Sequence, residues 1–201
     1  TLLMPDILLH LKGELMILAL TGHTTIEKCS NFILENEGVK YNQTAYDLTY
    51  NSIEESVLNI KDQYCINHDD FILVSGMARG ADEIFAEVAF RNNFKLYLSI
   101  PASVEWHKFR NHSNNRRVQA INYDKYLNYA FKVFEIPKNY KSNFFPNMQY
   151  KYANFARNQH MVDISNKVIS FKQYNSTGTD DCIKRAKEAN KYLGNININN
   201  C

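Results

Sequence analysis

The sequence predicts an α/β protein: a three-layer sandwich in which helices cover both faces of a mainly parallel sheet of five to six strands. Three observations support this fold class. Short apolar runs of strand length recur along the chain, stretches with helical periodicity separate them, and 201 residues are enough for one large core. Apolar strands joined by helices are typical of parallel sheets, because each crossover helix packs back onto a face of the sheet.

The apolar runs give the positions of the expected strands. They are Met16 to Leu20, Phe71 to Ser75, Leu96 to Ile100, Ala130 to Glu135, Val168 to Phe171 and the weaker Ile196 to Ile198. The expected helices are Ile26 to Glu37, Ala45 to Ile66, Ala81 to Asn92, His112 to Tyr129, Asn154 to Ser165 and Asp180 to Leu193. An aromatic segment with two prolines, residues 136–152, interrupts this alternation. It is interpreted either as a lid or as packing over the sheet edge.

Composition and charge point to an ordinary globular domain. A net charge of +2, with 45% hydrophobic and 22% charged residues, is unlike a disordered tail or a strongly basic nucleic-acid binder. No linker-like stretch divides the chain, so we expect one domain over residues 16–201 after an N-terminal extension, residues 1–15. Asp6, Lys12 and Glu14 interrupt that extension too often for a signal peptide or a membrane span. The expected location is therefore the cytoplasm, with no membrane partner.

The cysteines argue against a metal site. Cys29, Cys65, Cys182 and Cys201 are far apart and never fall into a paired CxxC spacing. They are interpreted as reduced thiols, which suits a reducing compartment. We expect no metal and no cofactor apart from a nucleotide-type ligand.

The first motif that could carry function is TGHTT, residues 21–25, directly after the first strand. Gly22 permits a tight turn, and the hydroxyls of Thr21 and Thr24 would lie near a helix start, where backbone N–H groups favour a phosphate. His23 could donate to that phosphate or move a proton. The alternative is a plain turn in which threonine caps the helix.

A second strand-turn-helix motif, SGMARGAD, covers residues 75–82. Gly76 and Gly80 would let the backbone approach a ligand closely. Arg79 is interpreted either as a phosphate partner or as a solvated residue of the first helical turn. Asp82 could cap the helix, reach a ribose hydroxyl or act as a general base.

A third block lies near the end of the chain. Arg157 and Asn158 precede the fifth strand, and the small residues Ser176 to Thr179 open the last helix as another candidate phosphate site. Asp180 and Asp181 follow directly and are candidate catalytic carboxylates.

Taken together, these blocks resemble the SLOG superfamily, named for the DNA-processing protein DprA and the cytokinin-activating LOG enzymes, and most closely its YpsA/YspA-like branch. The resemblance covers Leu18 to Ile198 and implies a Rossmann-like fold with a nucleotide pocket at the strand ends. The matching residues are Thr21, Gly22, His23, Ser75, Gly76, Met77, Gly80, Asp82, Arg157, Asn158, Asp163, Gly178 and Thr179.

The chain departs from these relatives at positions that bear on chemistry. Thr24 stands where the branch has the arginine of TGHR, and Thr177 replaces the first glycine of GGT. Cys182 stands where the LOG enzymes carry the glutamate of PGGxGTxxE, which assists cleavage between base and ribose 5′-phosphate. A thiol cannot stabilise an oxocarbenium-like centre as a carboxylate does, so hydrolysis would require Asp180 or Asp181 instead.

Three functions follow from this reading. The first is a binding module that senses or sequesters a small nucleotide, such as an ADP-ribose or NAD-derived ligand. The alternative is a nucleotide N-glycosidic hydrolase with Asp82, Asp180 or Asp181 as general base and Arg157 holding the phosphate, so enzymatic activity stays open. Nucleic-acid binding as in DprA is the third, and the nearly neutral charge makes it the least expected. The sequence is also compatible with a homo-oligomer.

Overall fold

The computed structural model describes residues 15–22, 26, 33–35, 38–40, 43–109, 122–136 and 146–198. The strands are β1 (Met16–Gly22), β2 (Ile33–Glu35), β3 (Gly38–Lys40), β4 (Phe71–Ser75), β5 (Lys95–Pro101), β6 (Lys132–Ile136), β7 (Lys167–Phe171) and β8 (Tyr192–Asn195). The helices are α1 (Gln43–Gln63), α2 (Ala81–Arg91), α3 (Val104–Phe109), α4 (Tyr123–Tyr129), α5 (Pro146–Ile164) and α6 (Thr177–Glu188).

The main sheet has six strands in the order β6-β5-β4-β1-β7-β8, and every neighbouring pair is parallel. The chain runs outward from β1 through β4, β5 and β6, and then returns to the other side of β1 to form β7 and β8. The strand order therefore reverses at β1. In open parallel sheets this reversal point, at the carboxyl ends of the strands, is where ligands bind.

Helices cover both faces of the sheet. α1 packs on α2, which also contacts α4, whereas α5 packs on α6. Alternate strand residues enter the two layers: Leu18 and Leu20 belong to the larger core beneath α1 and α2, and Ala19 belongs to the smaller core with Cys182 and Met161. The predicted three-layer α/β fold with a parallel sheet is thereby confirmed.

Two elements near the ends of the sheet differ from the sequence prediction. The last strand is Tyr192–Asn195, so the predicted strand Ile196 to Ile198 is wrong. Helix α6 ends at Glu188, and Asn190 follows with a φ of +56°. This left-handed backbone stops the helix before β8, and apolar periodicity alone does not reveal it.

The segment after β1 is not the single helix that was predicted over Ile26 to Glu37. Where the structure describes it, β2 and β3 pair as an antiparallel hairpin, with Glu35 opposite Gly38. A short run of apolar residues fits a helical face and a hairpin equally well, and Gly38 favours the turn.

The last seven residues of the aromatic segment, 146–152, are helical, because α5 begins at Pro146. Proline is favoured in the first turn of a helix, because the N–H that it lacks would have no intrahelical acceptor there. Residues 137–145 lie outside the described part of the chain, as do residues 1–14 of the predicted extension and residues 110–121. Among the described residues, no helix is long and apolar enough to cross a membrane.

Candidate functional site

A cavity of about 510 Å³ lies at the carboxyl end of β1. Nine residues predicted from the sequence line it: Thr21, Gly22, Asp82, Arg157, Asn158, Ser176, Thr177, Gly178 and Thr179. Five further lining residues were not predicted: Ala78, His107, Lys151, Asn154 and Phe155. Seven other residues predicted from the sequence do not line it: Ser75, Gly76, Met77, Arg79, Gly80, Asp180 and Asp181.

Gly22 lies between the N-terminal ends of two helices. A Cβ at this position would be 2.3 Å from Ala81 Cβ at the start of α2. On the other side, Thr179 Oγ1 at the start of α6 donates to the Gly22 carbonyl oxygen at 3.1 Å. Glycine is therefore needed here for strand-helix packing, and that packing places two helix N-termini beside the end of β1.

The turn after β4 is held by its own hydrogen bonds. Ser75 Oγ donates to the Asp82 carbonyl oxygen at 2.7 Å and accepts from the Met77 N–H at 3.1 Å. Met77 and Gly80 have φ values of +55° and +89°. Ser75 and Met77 are fully buried, so they act as structural parts of the turn and do not line the cavity.

Gly76 faces Arg157. A Cβ on Gly76 would be 1.4 Å from Arg157 Nη1 and 2.7 Å from Asp82 Oδ2. Gly76 was expected to let the backbone approach a ligand closely. This prediction is wrong, because the guanidinium of Arg157 fills the space beside the glycine. Arg79 is 2% exposed, so it is not the solvated residue that one reading of the sequence expected.

Asp82 and Arg157 form a buried ion pair. Arg157 Nη1 lies 3.2 Å from Asp82 Oδ2, and their side chains are 12% and 5% exposed respectively. Burial raises the pKa of Asp82, and the positive charge of Arg157 opposes this rise. The backbone amides of Ala78 and Gly22 also lower that pKa, although neither makes a hydrogen bond of normal geometry to Oδ1.

The N-terminus of α6 forms the opposite wall of the cavity. Asn158 Nδ2 donates to the Gly178 carbonyl oxygen at 3.0 Å and to Asp181 Oδ2 at 3.1 Å. A Cβ on Gly178 would meet no atom within 4 Å, so the backbone faces open space there. The first N–H groups of a helix have no intrahelical partner and favour an anion. This wall can therefore hold a phosphate.

The two aspartates that follow this turn, Asp180 and Asp181, bond to other polar groups and do not line the cavity. Asp181 Oδ2 accepts from Arg185 Nε at 2.9 Å as well as from Asn158. Asp180 pairs with Lys172, and its Oδ2 accepts from the Ser176 N–H at 3.2 Å. Asp82 is consequently the one carboxylate among the described cavity residues.

Cys182 lies behind the same turn with no exposed surface. Burial raises the pKa of its thiol to about 11, so the sulfur is neutral near pH 7 and is a poor nucleophile.

Helix α5 supplies three of the lining side chains that were not predicted, Lys151, Asn154 and Phe155. Together with Asn158 they follow the spacing of one helical face. Lys151 Nζ lies 5.5 Å from the centre of the Phe155 ring. This periodicity was a usable signal, but the predicted helix began at Asn154 and left Lys151 outside it.

His107 also lines the cavity without having been predicted. It is 2% exposed, and its Nδ1 lies 3.2 Å from the Tyr123 hydroxyl. No local motif marks this histidine, because only the packing of α3 against the sheet brings it to the site. His23 and Thr24 of the first motif lie outside the described residues. Within the part that is described, no group of three or more His, Cys, Asp or Glu side chains could hold a metal ion.

Comparison with known proteins gives matches at the level of structure. No protein-family model and no curated protein matches the sequence. DNA processing protein A (DprA) from Streptococcus pneumoniae superposes with a TM-score of 0.53 at 16% identity, over 89% of this chain and 50% of that one. DprA from Helicobacter pylori, described by its single-stranded DNA binding mode, gives 0.52 at 17% identity, over 90% of this chain and 65% of that one. The chain thus spans one half to two thirds of these proteins and has their DprA-like, Rossmann-type fold.

Proposed function

We propose that this chain binds a nucleotide or nucleotide derivative in the cavity at the end of β1. The observation that carries the proposal is the N-terminus of α6, where Gly178 borders open space beside the threonine hydroxyls of the same turn. Free backbone N–H groups at a helix start, in a cavity at the reversal point of a parallel sheet, suit a phosphate group.

The other cavity residues fit the remaining parts of such a ligand. Lys151 is exposed at the edge of the cavity and can neutralise phosphate charge. The half-buried ring of Phe155 offers an apolar surface for a base. Within the described residues the cavity has a single carboxylate, whereas a hydrolase would use a matched pair of acid and base groups. The cavity therefore fits a sensor or sequestering module of the YpsA-like type better than it fits a hydrolase. ADP-ribose and NAD-derived compounds are within this ligand class.

The direct test is to measure binding of AMP, ADP-ribose and NAD, both by calorimetry and by the shift in melting temperature. Gly178→Val should abolish the shift, because its side chain enters the open space beside the turn while the fold is retained. Lys184→Val is the matched control, since Lys184 is an exposed residue of the same helix outside the cavity. Chromatography of the recovered ligand separates binding from turnover. Unchanged binding by Gly178→Val would refute this site.

A second candidate function is binding of single-stranded DNA, favoured by the structural likeness to the DprA of Helicobacter pylori. Fluorescence anisotropy with a labelled oligonucleotide at several salt concentrations tests it. Affinity that falls steeply with salt would support the DNA function, because phosphate contacts release bound counterions. Absence of binding even at low salt would exclude it.

A further inference from the structure

We propose that the cavity selects ribonucleotides over deoxyribonucleotides, because a ribose hydroxyl of the ligand forms a hydrogen bond with Asp82 Oδ1. This inference rests on the proposed nucleotide binding and specifies the part of the ligand that Asp82 recognises.

The first argument is an incomplete set of hydrogen bonds. Asp82 Oδ2 accepts from Arg157 Nη1, whereas Oδ1 is buried and has no hydrogen-bond partner in the described part of the protein. The same holds for Arg157 Nε. Buried polar atoms are nearly always paired, since an unpaired one has lost its hydrogen bonds to water and gained none in the protein. A group supplied by the ligand would complete the pair.

The second argument concerns which group can do so. A phosphate oxygen carries no proton to donate and is repelled by a carboxylate, so it does not suit Oδ1. A hydroxyl both donates and accepts, and it therefore satisfies Oδ1 whether Asp82 is ionised or protonated. Among the parts of a nucleotide, the ribose is the one that offers such hydroxyls.

The third argument is position. Gly22 separates the start of α2, which carries Asp82, from the start of α6. The consecutive residues Arg157 and Asn158 connect the same two places, one contacting Asp82 and the other the Gly178 carbonyl oxygen. A phosphate at α6 thus leaves its directly attached sugar next to Asp82, whereas the base lies farther along the ligand.

The test compares the dissociation constants of AMP, 2′-deoxy-AMP and 2′,3′-dideoxy-AMP by calorimetry on the unmodified protein. We expect AMP to bind about tenfold or more tightly than the dideoxy compound, as is typical for loss of a hydrogen bond to a charged group. Equal affinities would overturn this inference and leave nucleotide binding intact. Failure of all three to bind would also overturn it, while the proposed function would still be decided by ADP-ribose and NAD.

Variants assign the preference to Asp82. Asp82→Leu combined with Arg157→Met replaces both charges with apolar groups, so that no buried charge is left unpaired. In this double variant the affinity ratio of AMP to the dideoxy compound should fall to about one. Thr177→Val at the phosphate end is the matched control, and it should change both affinities in parallel and leave the ratio unaltered. A ratio that persists in the double variant would contradict the role of Asp82.

Discussion

The guanidinium of Arg157 occupies the space that any side chain at Gly76 would need, with Nη1 only 1.4 Å from the position of a Cβ on that glycine. The same nitrogen pairs with Asp82 Oδ2 at 3.2 Å. The absence of a side chain after β4 thus allows an arginine from α5 to reach a carboxylate on α2. This relationship couples the two faces of the sheet at the candidate site.

Gly76→Ala should lower the free energy of unfolding by about 1 to 3 kcal/mol, because the methyl group displaces the guanidinium from a packed position. In an Arg157→Ala background the guanidinium is gone and only the approach to Asp82 Oδ2 at 2.7 Å remains, so the same substitution should cost less than it does in the unmodified protein. Urea denaturation of the four proteins in this cycle measures the coupling. Additive effects would show that the two residues do not compete for space.

Gly22→Ala and Gly178→Ala should have opposite outcomes. The new methyl group at Gly22 would lie 2.3 Å from Ala81 Cβ, and we expect a loss of about 1 to 3 kcal/mol. At Gly178 the methyl group meets no atom within 4 Å, and alanine is the better helix former, so stability should not fall. Thermal denaturation of both variants checks this, and equal losses would argue against the close contact between β1 and α2.

The two described cysteines should differ in reactivity. Cys65 is exposed, whereas Cys182 is fully buried with a pKa raised by burial to about 11. Iodoacetamide at about pH 8 should modify Cys65 and leave Cys182 intact, because alkylation needs an accessible thiolate. Peptide mass spectrometry reads out each site, with urea-unfolded protein as the control in which both react. Modification of native Cys182 would contradict its burial.

Ionised Glu87 should contribute to the free energy of unfolding, and this contribution should be lost at acid pH. Burial by itself raises the pKa of Glu87, but hydrogen bonds from Lys125, Arg91 and Tyr126 outweigh it and hold the pKa below the usual 4.5. A lowered folded-state pKa means that this stabilisation is complete above about pH 4.5 and is lost as the pH falls through the folded-state value.

Glu87→Gln should therefore cost about 1 to 3 kcal/mol at pH 7 and reduce the further loss of stability in acid. Urea denaturation between about pH 7 and pH 3 measures both effects. Glu55→Gln on the exposed face of α1 is the control. An unchanged acid dependence in Glu87→Gln would show that Glu87 does not contribute in this way.

Elements with strong local signals were predicted well from the sequence. Strand β4 begins at Phe71 and ends at Ser75 as predicted, since five apolar or small residues there are followed by Gly76. The hairpin of β2 and β3 and the last strand were missed, because short segments depend on which neighbours they pair with. Apolar periodicity does not indicate which strands pair with each other.

The residues of the candidate site likewise include some that were predicted from local sequence signals and some that were not. Thr21, Gly22 and the turn 177–179 line the cavity as ends of parallel strands and starts of helices, and the sequence order alone brings such ends to one edge of a sheet. His107 could not be assigned to it, because only the packing of α3 brings this residue to the cavity. Lys151 was missed because α5 begins earlier than the predicted helix.

Local periodicity and glycine-bearing turns were enough to predict the fold class and the edge of the sheet at which the cavity lies. The contacts made by these turns follow from the tertiary structure. It placed Arg157 against Gly76, paired Asp180 with Lys172 and Asp181 with Arg185, and left Asp82 as the one carboxylate among the described cavity residues. The contact of Arg157 with Gly76 joins residues far apart in the chain, and it depends on how helices pack on the sheet, which no short motif encodes.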